Sequence, residues 1–256
     1  MKVDHARRFG GVTRLYGPEG AKRIFSAHVT VVGIGGVGSW AAEALARSGI
    51  GRLTLVDLDI VAESNTNRQI HALDEQYGKA KVVAMAERIR LINPGCEISC
   101  IDDFVTLENL DAIFSGPMSF AVDAIDQTKI KAAMIAQCKR KEIPIIVAGA
   151  AGGQFDPTQI KISDLSQTIQ DPLLARVRSL LRRHYQFPKG GQHKFSIDAI
   201  YSTEQLRYPT ADESCSVESS SPNGLNCAGF GSSICVTATF GMAAAAHVLS
   251  SIAQVK

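Results

Sequence analysis

The sequence predicts an α/β protein: a Rossmann-like, doubly wound, mainly parallel sheet with an N-terminal helical arm and a C-terminal α+β extension. Three observations carry this expectation. Short apolar runs alternate with helix-length segments from residue 27 to about 150, the pattern of consecutive βαβ units. The first run, HVTVVGIGGVG, ends in glycines spaced G-x-G-x-x-G and leads straight into a helical pattern. The second run closes on Asp57, which follows Gly38 by 57 − 38 = 19 residues, the spacing of a dinucleotide-binding fold.

Residues 1–26 read as an arm and short helix, RRFGGVTRLYG followed by PEGAKRIFSA. HVTVVGIG is a buried strand. VGSWAAEALARSGIG is a helix with Val37, Ala41, Ala44 and Leu45 on one face and Gly49 near its end. RLTLVDLD is the second strand. GKAKVVAMAERIRLINPG is a helix closed by Asn93, Pro94 and Gly95. EISCID and MSFAVDAID are the third and fourth strands, QTKIKAAMIAQCKRK the next helix, and IPIIVAGAAGG the fifth strand.

Beyond that the regularity fades. TQIKISDL and FSIDAIYS read as strands, and DPLLARVRSLLRRH as a helix with proline near its start. QFPKGGQHK and the Ser-, Gly- and Pro-rich RYPTADESCSVESSSPNGLNCAGFGSS read as loops. The organisation expected is an arm over 1–26, a nucleotide-binding domain over 27–155, and an extension over 156–256.

Composition narrows the class. The chain has 256 residues, 45% hydrophobic and 20% charged, with a formal net charge of +2. That is ordinary for a globular protein and too mild to argue for nucleic acid by itself, so any basic patch is local. None of the six cysteines forms a C-x-x-C pair, so no zinc is expected. The N-terminus lacks the apolar core of a signal peptide, and a cytoplasmic, reducing location is the default. Residues 232–253 are long and uncharged enough to touch a bilayer. Their Ala, Ser, Thr and Gly content favours a buried or dimer-packed helix over membrane association.

The chemistry concentrates at strand ends. Gly33, Gly35, Gly36 and Gly38 let the backbone approach a phosphate at a helix N-terminus. Asp57 suits the hydroxyls of a ribose. These residues alone do not choose between NAD, FAD and ATP. The polar run from Asp59 through Asn65, Asn67 and Arg68, with Lys81 in GKAK and Asp126 in DAID, points to a polyphosphate. Arginine and lysine suit its shifting charge, and an aspartate among phosphates suits Mg²⁺. Hydride transfer needs no such set.

GIGGVGSW, DLDIVAESNTNRQ, GKAK and DAID resemble the adenylating superfamily of ubiquitin-activating enzymes and bacterial ThiF and MoeB proteins, over residues 8–150. The resemblance implies ATP with Mg²⁺. It gives Asp57 the ribose, Asn65 and Arg68 the phosphates and transition state, Lys81 the α-phosphate, and Asp126 the magnesium. It also implies a homodimer in which an arginine of one arm reaches the other subunit's ATP. Two departures stand out: the zinc cysteines are absent, and the arm reads RFGGVTR, with Arg8 in place, Gly11 where a second arginine belongs, and Arg14 displaced.

Both departures fit one branch. RFGGVTRLYG, SNTNRQIHAL, DPTQIKISDL, TIQDPL and NCAGFG with TATFG resemble tRNA threonylcarbamoyladenosine dehydratases over nearly the whole chain. That resemblance implies adenylation of a threonylcarbamoyl carboxylate beside the tRNA anticodon, loss of pyrophosphate, and ring closure with loss of AMP. By association it also implies a cysteine desulfurase or sulfur-acceptor partner, and it leaves a monovalent cation, Na⁺ or K⁺, open beside the ATP. Cys227 is the cysteine to consider as a nucleophile, although no histidine lies near it in sequence to lower its pKa. Cys96, Cys100, Cys138 and Cys235 read as packed. Arg176, Arg178, Arg182, Arg183, Lys189 and Lys194 lie in an acid-free stretch and suit tRNA phosphates; a solvated helix face is the competing reading. Tyr16, Phe187 and Tyr201 read as core rather than base-stacking. The alternative function is activation of a sulfur-carrier or ubiquitin-like protein by the same adenylation.

Overall fold

The computed structural model describes residues 4–190, 193–208 and 230–254. The helices are α1 His5–Ser26, α2 Gly38–Arg47, α3 Lys81–Ile92, α4 Leu110–Ile113, α5 Thr128–Arg140, α6 Pro172–His184 and α7 Ile234–Ala253. The strands are β1 His28–Val32, β2 Arg52–Val56, β3 Glu97–Ile101, β4 Phe120–Asp123, β5 Ile145–Ala148, β6 Ile160–Asp164 and β7 Asp198–Ser202. They form one seven-stranded sheet in the order β3-β2-β1-β4-β5-β7-β6. Every pairing is parallel except β6 with β7. The fold class is the expected one, and β6 and β7 of the extension complete the sheet that residues 27–148 begin.

The strands read as near-continuous apolar runs because both faces of the sheet are covered. Val29, Val31, Leu53 and Leu55 pack with residues of α1, α2, α3 and α7. Val32, Val56, Ala121, Val147 and Ala199 face the other way, into α5 and α6. The strand order reverses beside β1, where β2 lies on one side and β4 on the other. A crevice therefore opens at the carboxyl ends of these strands.

The arm is helical as expected, but over nearly its whole length and not only as a short helix. It is helical from His5, started by Asp4 accepting the Arg7 amide at 2.9 Å, and it is kinked at Gly17, with φ 73° and Pro18 following. Phe9, only 3% exposed, anchors it to the fold. Two cysteine expectations fail. Cys100 is exposed because β3 is an edge strand, and Cys235 is exposed in the first turn of α7. Cys96 and Cys138 are buried as expected, as are Phe187 and Tyr201.

By length and composition α7 is long and apolar enough to cross a membrane. Here it is a core helix, burying Val236, Phe240, Ala244, Ala245, Val248 and Leu249. Arg23 of α1 donates to the carbonyls of Ile252, at 3.2 Å, and Ala253. His247 lies 3.0 Å from Asp198 of β7. Closest approach to α2 comes at Gly241, where a Cβ would stand 2.5 Å from the Val37 carbonyl oxygen and 2.8 Å from the Ala41 nitrogen. Both obstacles are backbone, so neither can step aside. Gly241→Leu is expected to destabilise the fold by about 1–3 kcal/mol or more through overpacking, read as a lowered urea midpoint. A variant as stable as the parent would show that α2 and α7 do not pack this way.

Candidate active site

At the carboxyl ends of β1, β2, β4 and β5 lies a cavity of about 330 Å³. The glycine-rich loop forms its floor. Gly33 has φ 87°, and its Cα sits so close to β4 that a Cβ would come 2.9 Å from the Ala124 carbonyl. A Cβ on Gly38 would stand 1.7 Å from the Gly33 oxygen. No other residue type fits at either place. Gly35 and Gly36 line the cavity itself.

Asp57 pins this loop to β2. Its Oδ2 accepts the Ile34 amide at 2.6 Å and its Oδ1 the Asp59 amide at 2.9 Å. Burial raises the Asp57 pKa, and the nearby Lys81 opposes that rise. The chain then leaves the sheet and returns. Lys81 donates its amide to the Asp59 carbonyl at 2.9 Å, and Ile60 bridges Ala80. The excursion is thus closed at its base, which delivers Lys81 to the cavity as the first residue of α3. Lys81 is 5% exposed, and its Nζ lies 2.8 Å from the exposed Asp59 carboxylate.

Within the excursion, Asn65 caps its own short turn by accepting the Ala62 amide at 3.1 Å, and it lines the cavity. Arg68 donates to the Ser64 carbonyl at 2.8 Å and to Asn67 Oδ1 at 2.9 Å. Its backbone carbonyl accepts from the Trp40 indole at 3.0 Å. Burial lowers the Arg68 pKa. Its recorded partners are neutral, and no carboxylate pairs with it among the described residues. A half-buried guanidinium with neutral partners is a ready site for an anion.

DAID divides its work. Asp123 is fully buried and paired with the equally buried Lys131 at 2.7 Å. Burial raises the Asp123 pKa, and Lys131 opposes it. Asp126, three residues on, is half-buried and lines the cavity. The structure therefore brings Gly33, Gly35, Gly36, Asp57, Asp59, Asn65, Arg68, Lys81 and Asp126 around one space. Gly38 begins α2 directly beneath it.

Other expected residues lie elsewhere. Arg8 donates to the Ile92 carbonyl at 2.8 Å, at the opposite end of α3 from Lys81. Arg178, Arg182, Arg183 and Lys189 share an open depression of about 520 Å³ with Ala175 and Ser179. Arg176 and Lys194 are exposed outside it. Cys227 lies outside the described residues. Among the described residues no group of three or more His, Cys, Asp or Glu could hold a metal by itself.

Sequence reasoning missed three residues. Asp171 caps α6 by accepting the Leu174 amide at 2.8 Å, and it also accepts the Ala150 amide of the cavity wall at 2.8 Å. The Asp-Pro start signalled only the cap. Gln69 lines the cavity, 6% exposed, with no partner for its Oε1 among the described residues. His71 is 1% exposed, and neither ring nitrogen has a partner among the described residues.

A doubly wound sheet whose switch point carries a pinned glycine loop, two cations and a separate acid defines an α/β nucleotide-binding enzyme of the adenylating type. The chain belongs to the ThiF family, whose signature matches residues 9–256, and within it to the tRNA threonylcarbamoyladenosine dehydratases. It is 50% identical to the Haemophilus influenzae tRNA threonylcarbamoyladenosine dehydratase over 254 residues, covering 99% of this chain and 96% of that protein. Solved structures of the Escherichia coli tRNA N6-threonylcarbamoyladenosine dehydratase match it at 48% identity. The complex with ATP has a TM-score of 0.88 and covers 98% of this chain and 96% of that one. The complex with AMP has a TM-score of 0.87 and covers 96% and 94%.

Enclosure of His71 makes the stability depend on pH. Burial, with Lys81 and Arg88 adding to it, lowers its pKa from 6.5 to about 4. The unfolded chain takes up this proton below pH 6.5, whereas the folded chain refuses it until about 4. Stability from this source is intact above pH 6.5 and falls by about 3 kcal/mol as pH drops through that window. His71→Leu, which leaves no unpaired ring nitrogen, is expected to flatten that part of the pH profile in urea titrations. Parallel profiles for the two proteins would refute the assignment.

Proposed function

We propose that this protein uses ATP to dehydrate threonylcarbamoyladenosine beside the anticodon of tRNA. The observation that carries the reading is the convergence of Arg68, Lys81 and Asp126 on one cavity floored by the glycine loop. The relatives' names and their ATP and AMP complexes support the same chemistry. Residues 27–155 would hold the nucleotide and residues 156–256 the RNA.

In this reading Gly33–Gly38 seat the phosphates against the N-terminus of α2, and Asp57 orients the ribose beside the loop it pins. The substrate carboxylate attacks the α-phosphorus, a new P–O bond forms, and the bond to pyrophosphate breaks. Lys81 and Arg68 stabilise the charge that grows on the transferring phosphoryl group. A nucleophile of the same nucleoside then attacks the acyl carbon, its proton passes to solvent, and AMP leaves. Confinement of both ends of the modified group favours that closure by proximity. Cys227 has no step in this scheme.

The residues fit a divalent cation. Among the described residues the cavity is lined by four acids, Asp57, Asp59, Asp103 and Asp126, and two cations, Arg68 and Lys81, so acids outnumber cations there before any phosphate enters. Asp126 would hold Mg²⁺, which takes one or two carboxylates and completes its shell with phosphate oxygens and water. Bound there, Mg²⁺ neutralises phosphate charge. The homodimer belongs to the same reading. From Lys81 to Ile92, α3 rises about 16 Å, so Arg8 reaches no nucleotide in its own chain and serves one only across a subunit interface.

Incubation with ATP, Mg²⁺ and tRNA bearing the modified nucleoside is expected to remove one water, seen by mass spectrometry of the nucleoside, with AMP and pyrophosphate as co-products. Lys81→Ala and Arg68→Ala should each slow pyrophosphate release on the order of 10²–10³-fold. Exchange of pyrophosphate that requires a Gly-Gly-ended protein instead of modified tRNA would favour a carrier-protein activator. Cys227→Ser is expected to turn over. An inert variant would place a thioester on the path.

A further inference from the structure

The mouth of the cavity carries an aromatic and cationic cluster that the chemistry above does not use. The Arg207 guanidinium lies over the Phe155 ring, 3.9 Å from its centroid. Tyr208 packs on Phe230 with ring centroids 5.0 Å apart at 52°. Leu206 and Phe230 line the cavity wall, while Phe155 and Tyr208 are 53% and 72% exposed. Single exposed rings need no explanation. Two of them, one stacked with a cation and both beside a site, do.

The cluster is held by more than its own contacts. Gly153 donates its amide to the Gly231 carbonyl at 2.8 Å and accepts the Arg207 amide at 2.8 Å. A Cβ on Gly153 would stand 2.9 Å from the Phe230 ring, and its φ is +73°. The buried Glu204 carboxylate accepts the Phe155 and Asp156 amides at 3.1 and 2.9 Å. Asn67 donates to the Ser232 carbonyl at 3.1 Å, which ties the same framework to the turn that carries Arg68.

The geometry points to Phe155, Arg207 and Tyr208 as a stacking platform for an unpaired base of the anticodon loop, next to the modified nucleoside. This rests on the reading of the cavity as the dehydration site. Exposed aromatic faces and guanidinium planes are what single-stranded RNA loops use; an acidic peptide would use the charge of Arg207 but has no base to lay on the Phe155 and Tyr208 rings. Position supports the choice. Leu173 of α6 lines the cavity, and Arg182, about 14 Å further along that helix, lines the basic depression. An RNA loop laid along α6 meets phosphate-binding residues at one end and the platform at the other.

The test uses the full protein and an unmodified RNA hairpin of anticodon stem-loop sequence, with 2-aminopurine beside the position that carries the modification. No ATP and no turnover are required, so the platform stays readable if the dehydration reading fails. Binding is expected to quench the fluorophore. Tyr208→Ala and Arg207→Ala should weaken hairpin binding by about 5- to 150-fold, the range for one stacked base, while Tyr208→Phe restores it. All three should keep the parent's melting temperature and ATP dissociation constant. Absence of quenching with the parent protein would overturn the proposal. So would an equal loss of ATP affinity in Tyr208→Ala, or displacement of the hairpin by a Gly-Gly-ended peptide that Tyr208→Ala no longer binds.

Discussion

The site depends on one constraint: β1 must turn into α2 with no side chain in the way. Gly33 approaches the Ala124 carbonyl, and Gly38 approaches the Gly33 oxygen, more closely than any Cβ permits. The turn lets the Gly33 amide reach Val56 at 2.9 Å and the Ala124 amide reach Val32 at 2.8 Å. The ends of β2, β1 and β4 are thereby locked side by side. Asp57 then fixes the loop through the Ile34 amide. Functional groups from three distant segments face one another because their strands end at the same place.

Electrostatics build on that frame. Lys81 is nearly buried yet remains paired with Asp59, whose own carboxylate is in water. Such a half-exposed pair costs less desolvation than a buried one, and the lysine can turn to a stronger anion without leaving its place. Arg68 has no acid to give up among the described residues. Asp123 and Lys131 are the contrary case, both fully enclosed. Their role is to hold the end of β4, which sets where Asp126 emerges.

Much of this was legible because the sheet is parallel and covered on both faces. Apolar runs mark its strands, and the groups that matter fall just past their ends. Gly33 and Asp57 could therefore be picked out by spacing, and Arg68, Lys81 and Asp126 by residue type at the strand ends, while their roles came from the resemblance to the adenylating superfamily. What could not be read are contacts without a local signature. An edge strand looks like a central one until its neighbours are known, so Cys100 was misplaced. Asp171 announces a helix cap and says nothing of Ala150, 21 residues earlier. His71 gives no sign that it will be enclosed. Phe155, Arg207 and Tyr208 come from two segments joined by the Arg207 amide on the Gly153 carbonyl and by the Glu204 carboxylate on the Phe155 amide, contacts that no local pattern announces.

The extension and the nucleotide half of the sheet meet at residues 149–153. Residues 149–153 leave the nucleotide half of the sheet, and the extension grips them along their length. Asp171 of α6 holds the start through Ala150, and a Cβ on Gly149 would strike its carboxylate at 2.0 Å. Gly152 bridges Ser232, and Gly153 bonds Arg207 and Gly231. Ala150, Ala151 and Gly152 meanwhile form a wall of the cavity. A displacement of α6 or of the 204–208 segment would therefore shift that wall directly, with no intervening element. Small residues suit this position, since a backbone wall places its amides and carbonyls by the strand and helix that grip it, not by rotamers. The segments that set this wall's position are the same ones that carry the basic and aromatic surfaces, so the wall and those surfaces move together.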